Sequence, residues 1–284
     1  MTSPLSSSAR RHIRTSASNI MYTNAVYFPN QKIYEHFTPG MMDYGCINHV
    51  YYAFANVSAD GSVFVFTWQY PSDAQEGANF VALLAAVRIH LPEEKFFVTA
   101  ALPAGTSVLQ HINIAQAAAY LDFVNLIAYD FCGHWGDRSG HHAQLYSLQE
   151  DEVSGSSGVS YLIAKGCPSK KILLGIPVYG RSFLGVSGPG HRHEGPGGRD
   201  GVFEYHELPR EHAKETVDRR IGAASCVGGD GGFVSYDNAE TVEMKASFCK
   251  QKGLGGLFYW SGPADSREKG RSLIAAGFKS LHSS

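Results

Sequence analysis

Phe123-Val124-Asn125-Leu126-Ile127-Ala128-Tyr129 is apolar at almost every position. A strand with one wet face would alternate apolar and polar residues, so a nearly continuous run implies burial on both faces, as in a parallel sheet covered by helices. Ile172 to Tyr179 (ILLGIPVY) and Leu254 to Trp260 read the same way. Further strands are expected at Asn24–Phe28, Ile47–Val57, Val65–Gln69 and Phe96–Leu102. Helical spacing runs over Glu76–Leu91, with Phe80, Leu83, Leu84, Val87 and His90 on one face. More helices are expected at Ile112–Tyr120, in the stretch ending at Lys165, and at Thr241–Gln251 and Ser272–Leu281. Strand-then-helix units on short joins imply a parallel sheet with helices outside it. Tyr129 and Trp260 stand at strand C-terminal ends, which favours a (β/α) barrel over an open doubly wound sheet.

The strand count falls short of the eight that such a barrel needs. Only Asp60–Phe64 separates the strand ending at Val57 from the next one. A helical crossover takes roughly a dozen residues, so either those two segments form a hairpin or a segment is missing. Residues 184–234 change character, becoming rich in Gly, His and charge (GVSGPGHRHEGPGGRDG, then VGGDGG). The fold expected is therefore α/β: a (β/α)8-type TIM barrel, about two βα units short, with a small α+β insertion domain. Residues 1–22 read as a disordered leader, 23–183 and 235–284 as the barrel, and 184–234 as the insertion.

A chain of 284 residues can bury a substantial core, and 44% hydrophobic with 18% charged residues is a globular composition. The net charge of -2 gives no reason to expect nucleic acid or an anionic membrane as partner. Tyr and Phe number 15 and 16, compatible with a sugar cleft and equally with an aromatic core. Cys46, Cys132, Cys167, Cys226 and Cys249 form no Cys-x-x-Cys pair, which argues against a structural zinc. Met1 to Asn19 holds no apolar run of signal-peptide length, and no stretch approaches membrane-spanning length. Asn56-Val57-Ser58 is a glycosylation sequon that matters only in a secreted chain.

Several motifs occur in one order: Trp68-Gln69-Tyr70-Pro71, Glu76-Gly77-Ala78-Asn79-Phe80, Ile127-Ala128-Tyr129-Asp130, Gly175-Ile176-Pro177-Val178-Tyr179-Gly180-Arg181, Ser235-Tyr236-Asp237 and Gly255-Gly256-Leu257-Phe258-Tyr259-Trp260. Together they resemble the fungal-type chitinases of glycoside hydrolase family 18. The resemblance implies a mechanism in which the substrate's own N-acetyl oxygen attacks the anomeric carbon, so one protein acid suffices. In that family a strand Asp-x-x-Asp-x-Asp-x-Glu supplies the acid (Glu) and an acetamido-orienting Asp. At that spacing this chain has Ser62, Val65, Thr67 and Gln69. Thr67 stands at the place of the orienting Asp and Gln69 at that of the acid, and an amide cannot protonate a leaving oxygen. The family's preceding Ser-x-Gly-Gly strand has no counterpart, so the join after Phe64 skips the third βα unit and much of the fourth.

By the same resemblance, Tyr129 would hydrogen-bond an acetamido carbonyl and Asp130 a sugar hydroxyl or acetamido group. Trp260 would floor the cleft, Tyr179 and Arg181 would line it, and Trp135 would stack on a neighbouring sugar. Trp68 and Tyr70 complete the expected binding set. Each has a plain alternative, since a Tyr-Asp at a strand end is often a cap and Trp260 could fill the barrel mouth. His134, His141, His142, His191 and His193 lie in polar loops without ligand spacing and read as solvated rather than metal-binding. No cofactor and no metal are expected. The expected partner is chitin or a chitooligosaccharide, taken by a monomer that is extracellular by resemblance, with a cytoplasmic location the alternative in the absence of a signal peptide. Three functional readings stay open: a chitin-binding protein with little or no hydrolysis, an active endochitinase whose sequence is mis-joined, and a decayed copy.

Overall fold

The computed structural model describes residues 21–53, 56–57, 63–64, 70–149 and 151–283. In chain order the elements are β1 (Thr23–Pro29), β2 (His49–Ala53), β3 (Asn56–Val57), β4 (Val63–Phe64), α1 (Ala74–His90), β5 (Thr99–Pro103), α2 (Ile114–Tyr120) and β6 (Phe123–Ile127). There follow α3 (Gly155–Ala164), β7 (Ile172–Pro177), β8 (Tyr179–Phe183), β9 (Val202–Glu204), β10 (Lys214–Asp218), β11 (Ala223–Val227) and β12 (Phe233–Tyr236). The chain ends with α4 (Ala239–Lys252), β13 (Gly256–Trp260) and α5 (Leu273–His282).

Six strands form one parallel sheet in the order β2-β1-β13-β7-β6-β5. The last strand, β13, pairs with the first, so the sheet curls round as a barrel does. Its two ends are β2 and β5, where the third and fourth strands of a full barrel would lie. The barrel is thus incomplete by two strands among the described residues. β3 and β4 pair antiparallel as a short hairpin, Asn56 opposite Phe64 and Val57 opposite Val63. The expected single strand Ile47–Val57 is therefore divided, its tail turned into the hairpin.

The two sheet ends approach each other at their N-terminal side through rings. His49, which opens β2, lies 6.0 Å from Phe97 and 6.1 Å from Phe123, measured between ring centroids. Phe97 stacks on Phe123 at 6.1 Å and 16°. These aromatic contacts partly cover what strand pairing leaves open. They also explain why β5 begins at Thr99 and not at Phe96, as the apolar run suggested: Phe97 is engaged in the bridge.

β7 shows why a continuous apolar run marks a covered parallel strand, since all of Ile172–Pro177 is buried. Helices start on side-chain caps, as the orphan backbone N–H groups require. Asp73 accepts from Glu76 N, Asn113 from Gln116 N, Asn238 from Thr241 N and Ser272 from Ala275 N. α1 departs from its expected packing. Leu84 is buried, but Leu83 is 60% exposed and His90 is exposed as well. α1 lies beside α2, tied there by Arg88 to Tyr120 O (2.8 Å) and to Asp122 Oδ2 (2.7 Å). On the flank where a preceding βα unit would pack, Leu83 has no cover among the described residues.

A second sheet is antiparallel, in the order β10-β11-β12-β8-β9. It takes in Tyr179–Phe183, just before residue 184, and Phe233–Tyr236, which runs across residue 234, and so continues directly from the end of β7. The predicted strand Ile172–Tyr179 is consequently two strands, with Tyr179 the first residue of β8. Val178, between them, donates its N–H to Trp260 O at 2.7 Å, which locks the second sheet to the mouth of the barrel.

Candidate functional site

Tyr129 and Asp130 follow β6 at the C-terminal end of the parallel sheet, where barrel enzymes carry their chemistry. Asp130 has a φ of 60°, a left-handed conformation that Asp tolerates better than most residues. Tyr179 and Arg181 are two apart on β8, so strand alternation places them on one face. Both reach Asp130. Tyr179 OH donates to Oδ1 at 2.7 Å, Arg181 Nε to Oδ1 at 2.8 Å, and Arg181 Nη2 to Oδ2 at 2.8 Å. This two-pronged guanidinium–carboxylate pairing is among the stronger charge-assisted arrangements.

The electrostatics follow from that geometry. Burial would raise the Asp130 carboxyl, but the His142 ring and the Arg181 guanidinium outweigh it and hold the group well below the usual carboxylate range. Asp130 is thus an ionised acceptor, not an acid. Burial pushes the Tyr129 and Tyr179 hydroxyls well above the ordinary phenol value, so both remain protonated and able to donate.

Beneath these groups the barrel interior is aromatic. Tyr129 meets Tyr179 edge-on at 6.2 Å and Phe258 at 6.2 Å. Gly175 on β7 makes room, because a Cβ there would come within 2.8 Å of the Tyr129 ring and 2.7 Å of Leu126 O. Tyr27 on β1 packs on Tyr51 at 4.8 Å and on Trp260 at 5.3 Å, and its hydroxyl accepts from Asn125 Nδ2 at 2.9 Å. Trp260, half-buried at the end of β13, therefore stands at the barrel mouth. Trp135 is 59% exposed, with the Arg181 guanidinium 4.8 Å from its ring. Tyr70 belongs to the same cluster: burial raises its hydroxyl, and Tyr27 and Asp130 add to the shift.

Of the residues expected from sequence, the structure brings together Tyr70, Tyr129, Asp130, Trp135, Tyr179, Arg181 and Trp260. Thr67, Trp68 and Gln69 lie outside the described residues. One expectation needs correcting. The loop histidines were read as solvated, but His142 is 0% exposed and His141 is half-buried with Nδ1 3.3 Å from Ser235 Oγ. Burial pushes His141 down to about 4. The loop folds inward because Lys245 of α4 donates to Ala143 O at 2.6 Å while pairing with Asp237 at 2.5 Å, both side chains being buried. Sequence reasoning missed Tyr27, Tyr51, Asn125 and His142. Tyr27 and Asn125 were legible as polar positions inside apolar strands; His142 gave no such signal. Among the described residues no group of three His, Cys, Asp or Glu side chains is arranged to hold a metal.

A sequence profile of glycosyl hydrolases family 18 matches residues 64–265. Chitinase 1 of Aphanocladium album is 33% identical over 234 residues, covering 76% of this chain and 55% of that protein. Endochitinase 1 of Metarhizium robertsii is 34% identical over 230 residues, covering 75% and 54%. The chain spans about half the length of the curated relatives it matches. Among solved structures, a class V chitinase from Nicotiana tobaccum shares the fold, with a TM-score of 0.82 at 21% identity over 92% of this chain and 99% of that one. A family 18 chitinase variant from Cycas revoluta, in complex with (GlcNAc)4, gives a TM-score of 0.79 at 25% identity over 91% and 98%. With the motifs in order, the curled parallel sheet and a profile match over most of its length, the chain belongs to glycosyl hydrolases family 18.

Proposed function

We propose that the chain is a chitinase-like protein that binds chitin or N-acetylglucosamine oligomers at the open end of its barrel, with little or no hydrolysis. The observation that carries this reading is the frame around Asp130, whose carboxylate Tyr179 and Arg181 hold at the end of β6. The cleft keeps an anionic acceptor, buried tyrosine donors and exposed indole faces, the equipment of sugar recognition. Its carboxylate is held by Arg181 in the ionised form, which suits it to accept from a sugar. Gln69 occupies the family's acid position in the sequence. Loss of a positioned general acid costs about 10²–10⁴ in rate. Gln is nearly isosteric with Glu and still hydrogen-bonds, so binding can outlast turnover.

In this reading Tyr129 takes the acetamido carbonyl and Asp130 a sugar hydroxyl or acetamido group. Trp260 floors the site, Tyr179 and Arg181 line it, Trp135 offers a face to a neighbouring sugar, and Trp68 and Tyr70 complete the binding set. The Cycas revoluta relative, solved with (GlcNAc)4, supports the ligand class. In this reading the protein is a monomer, extracellular by family resemblance with a cytoplasmic location the alternative, and residues 184–234 are an insertion on the barrel. The test is calorimetric titration with chitohexaose, with product analysis of the same mixture. Micromolar binding without products is expected; no binding would sink the proposal.

A second reading is favoured by one observation: the family match opens at Phe64, the residue that ends β4. There an active endochitinase would have lost its third βα unit and much of its fourth at a mis-joined position. In-frame coding for those strands between the codons for Phe64 and Val65 would support it. A continuous exon across those codons would exclude it.

A further inference from the structure

His142 stands beside Asp130 in a setting that loop packing alone does not explain. Its ring is 0% exposed, and among the described residues neither ring nitrogen makes a hydrogen bond of normal length. Nδ1 lies 3.5 Å from Asp130 Oδ1, just beyond normal hydrogen-bond length. The ring also packs on Tyr179, with centroids 5.3 Å apart at 48°. Buried polar atoms in folded proteins are nearly always paired, so an imidazole stranded here needs a reason. A phenyl ring would fill the same space without polar atoms.

The backbone fixes where the ring sits. His142 N donates to Ser235 Oγ at 3.2 Å, Phe131 N donates to His142 O at 3.0 Å, and Lys245 holds Ala143 O. The ring thus closes the third side of a frame around Asp130, with Tyr179 and Arg181 as the other two. Oδ1 accepts from both of these, whereas among the described residues Oδ2 accepts only Arg181 Nη2. A carboxylate oxygen has room for about two donors, so Oδ2 keeps the spare capacity.

We propose that His142 is a positioning residue for the ligand-binding carboxylate: its buried ring backs Oδ1 of Asp130 and leaves Oδ2 to receive a sugar hydroxyl. The proposal rests on the oligosaccharide-binding reading of the cleft. The charged and titratable groups facing the ring are Asp130, Arg181 and Tyr179 of β8, Asp237 at the end of β12, and the adjacent His141. Burial lowers the affinity of His142 for a proton, against the opposing pull of Asp130 and Asp237. A ligand that covers the cleft and engages Asp130 deepens the burial and uses part of that negative charge. The liganded protein therefore holds the proton less readily, and affinity falls as the pH drops through the titration of His142.

The experiment titrates chitohexaose into the unaltered protein, His142→Phe and His142→Gln at about pH 7.5 and about pH 4.5, and follows the His142 ring by NMR without ligand. His142→Phe is expected to melt cooperatively, bind about tenfold more weakly at the higher pH and lose the pH dependence, while His142→Gln, which retains a donor, recovers most of the affinity. Binding by His142→Phe within about twofold of the unaltered protein, or equal losses in both variants, would overturn the proposal. If the unaltered protein binds no chitohexaose, the oligosaccharide reading has failed and the ligand-free NMR decides. A fall in the His142 titration point in Asp130→Asn then supports the coupling, and an unchanged titration overturns it.

Discussion

At the scale of single residues, the site is governed by which charges are paired. Asp130 has a folded-state value depressed below the ordinary 3.8, so its contribution to stability is present above that value and is lost only as the pH falls through the lower folded one. In Arg181→Gln, burial is no longer outweighed in the same measure and Asp130 takes up a proton at higher pH. The acid limb of the stability curve is expected to move upward, as read from urea midpoints at a series of pH values. An unmoved limb would mean that Arg181 does not hold the carboxylate. The Lys245–Asp237 pair behind the histidine loop is fully buried. Lys245→Met strands the Asp237 carboxylate and is expected to cost about 3–5 kcal/mol, while adding Asp237→Leu recovers most of it. Equal destabilisation of the single and double variants in urea would contradict this. Tyr129, Asp130 and Trp260 were legible through the family resemblance; their place at the ends of apolar strands alone fitted a cap or a barrel plug equally well. His142 was not, because a loop of His, Gly and Ser looks solvated until a lysine on a distant helix draws it inward.

At the scale of elements, each helix is as buried as its neighbours allow. The periodicity of α1 placed Leu83 and Leu84 on one face, yet only Leu84 is covered. Leu84→Ala is expected to cost about 2–4 kcal/mol, whereas Leu83→Glu stays within about 0.5 kcal/mol. Comparable losses at both positions in chemical denaturation would mean that the exposed flank of α1 is covered in solution. α5 shows the opposite limit. A Cβ at Gly277 would lie 2.0 Å from Tyr259 OH, and that hydroxyl donates to buried Asn24 Oδ1 at 3.0 Å. Asn24 in turn donates to Cys46 O at 2.8 Å and Ile274 O at 3.1 Å, so the group stitches β1 and β13 to α5. Gly277→Ala, though it favours helix, is expected to destabilise by about 1–3 kcal/mol through overpacking. A raised melting temperature would refute that. Periodicity reports which side chains could be buried; it carries no information about whether a neighbour is there to bury them.

At the scale of the whole molecule, the parallel sheet was readable from three apolar runs, Phe123–Tyr129, Ile172–Tyr179 and Leu254–Trp260, because burial on both faces leaves a one-dimensional trace. The shortage of strands was readable too, from a join too short for a helical crossover. What the sequence did not reveal was how the cut barrel manages its two ends. His49, Phe97 and Phe123 meet across the seam, and no periodic pattern marks that contact. The boundary between β7 and β8 was hidden because Pro177 and Val178 are apolar on both sides of the change from parallel to antiparallel pairing. The molecule that results keeps the mouth of a family 18 barrel on a parallel sheet of six strands among the described residues. The account joins these by holding that recognition survives where proton donation does not. The measurement that tests it most directly is titration of the purified protein with chitohexaose, followed by product analysis of the same solution. Saturable binding with the oligosaccharide recovered intact is expected; release of shorter oligomers would refute the claim, because an acid elsewhere in the chain would then be donating the proton that Gln69 cannot.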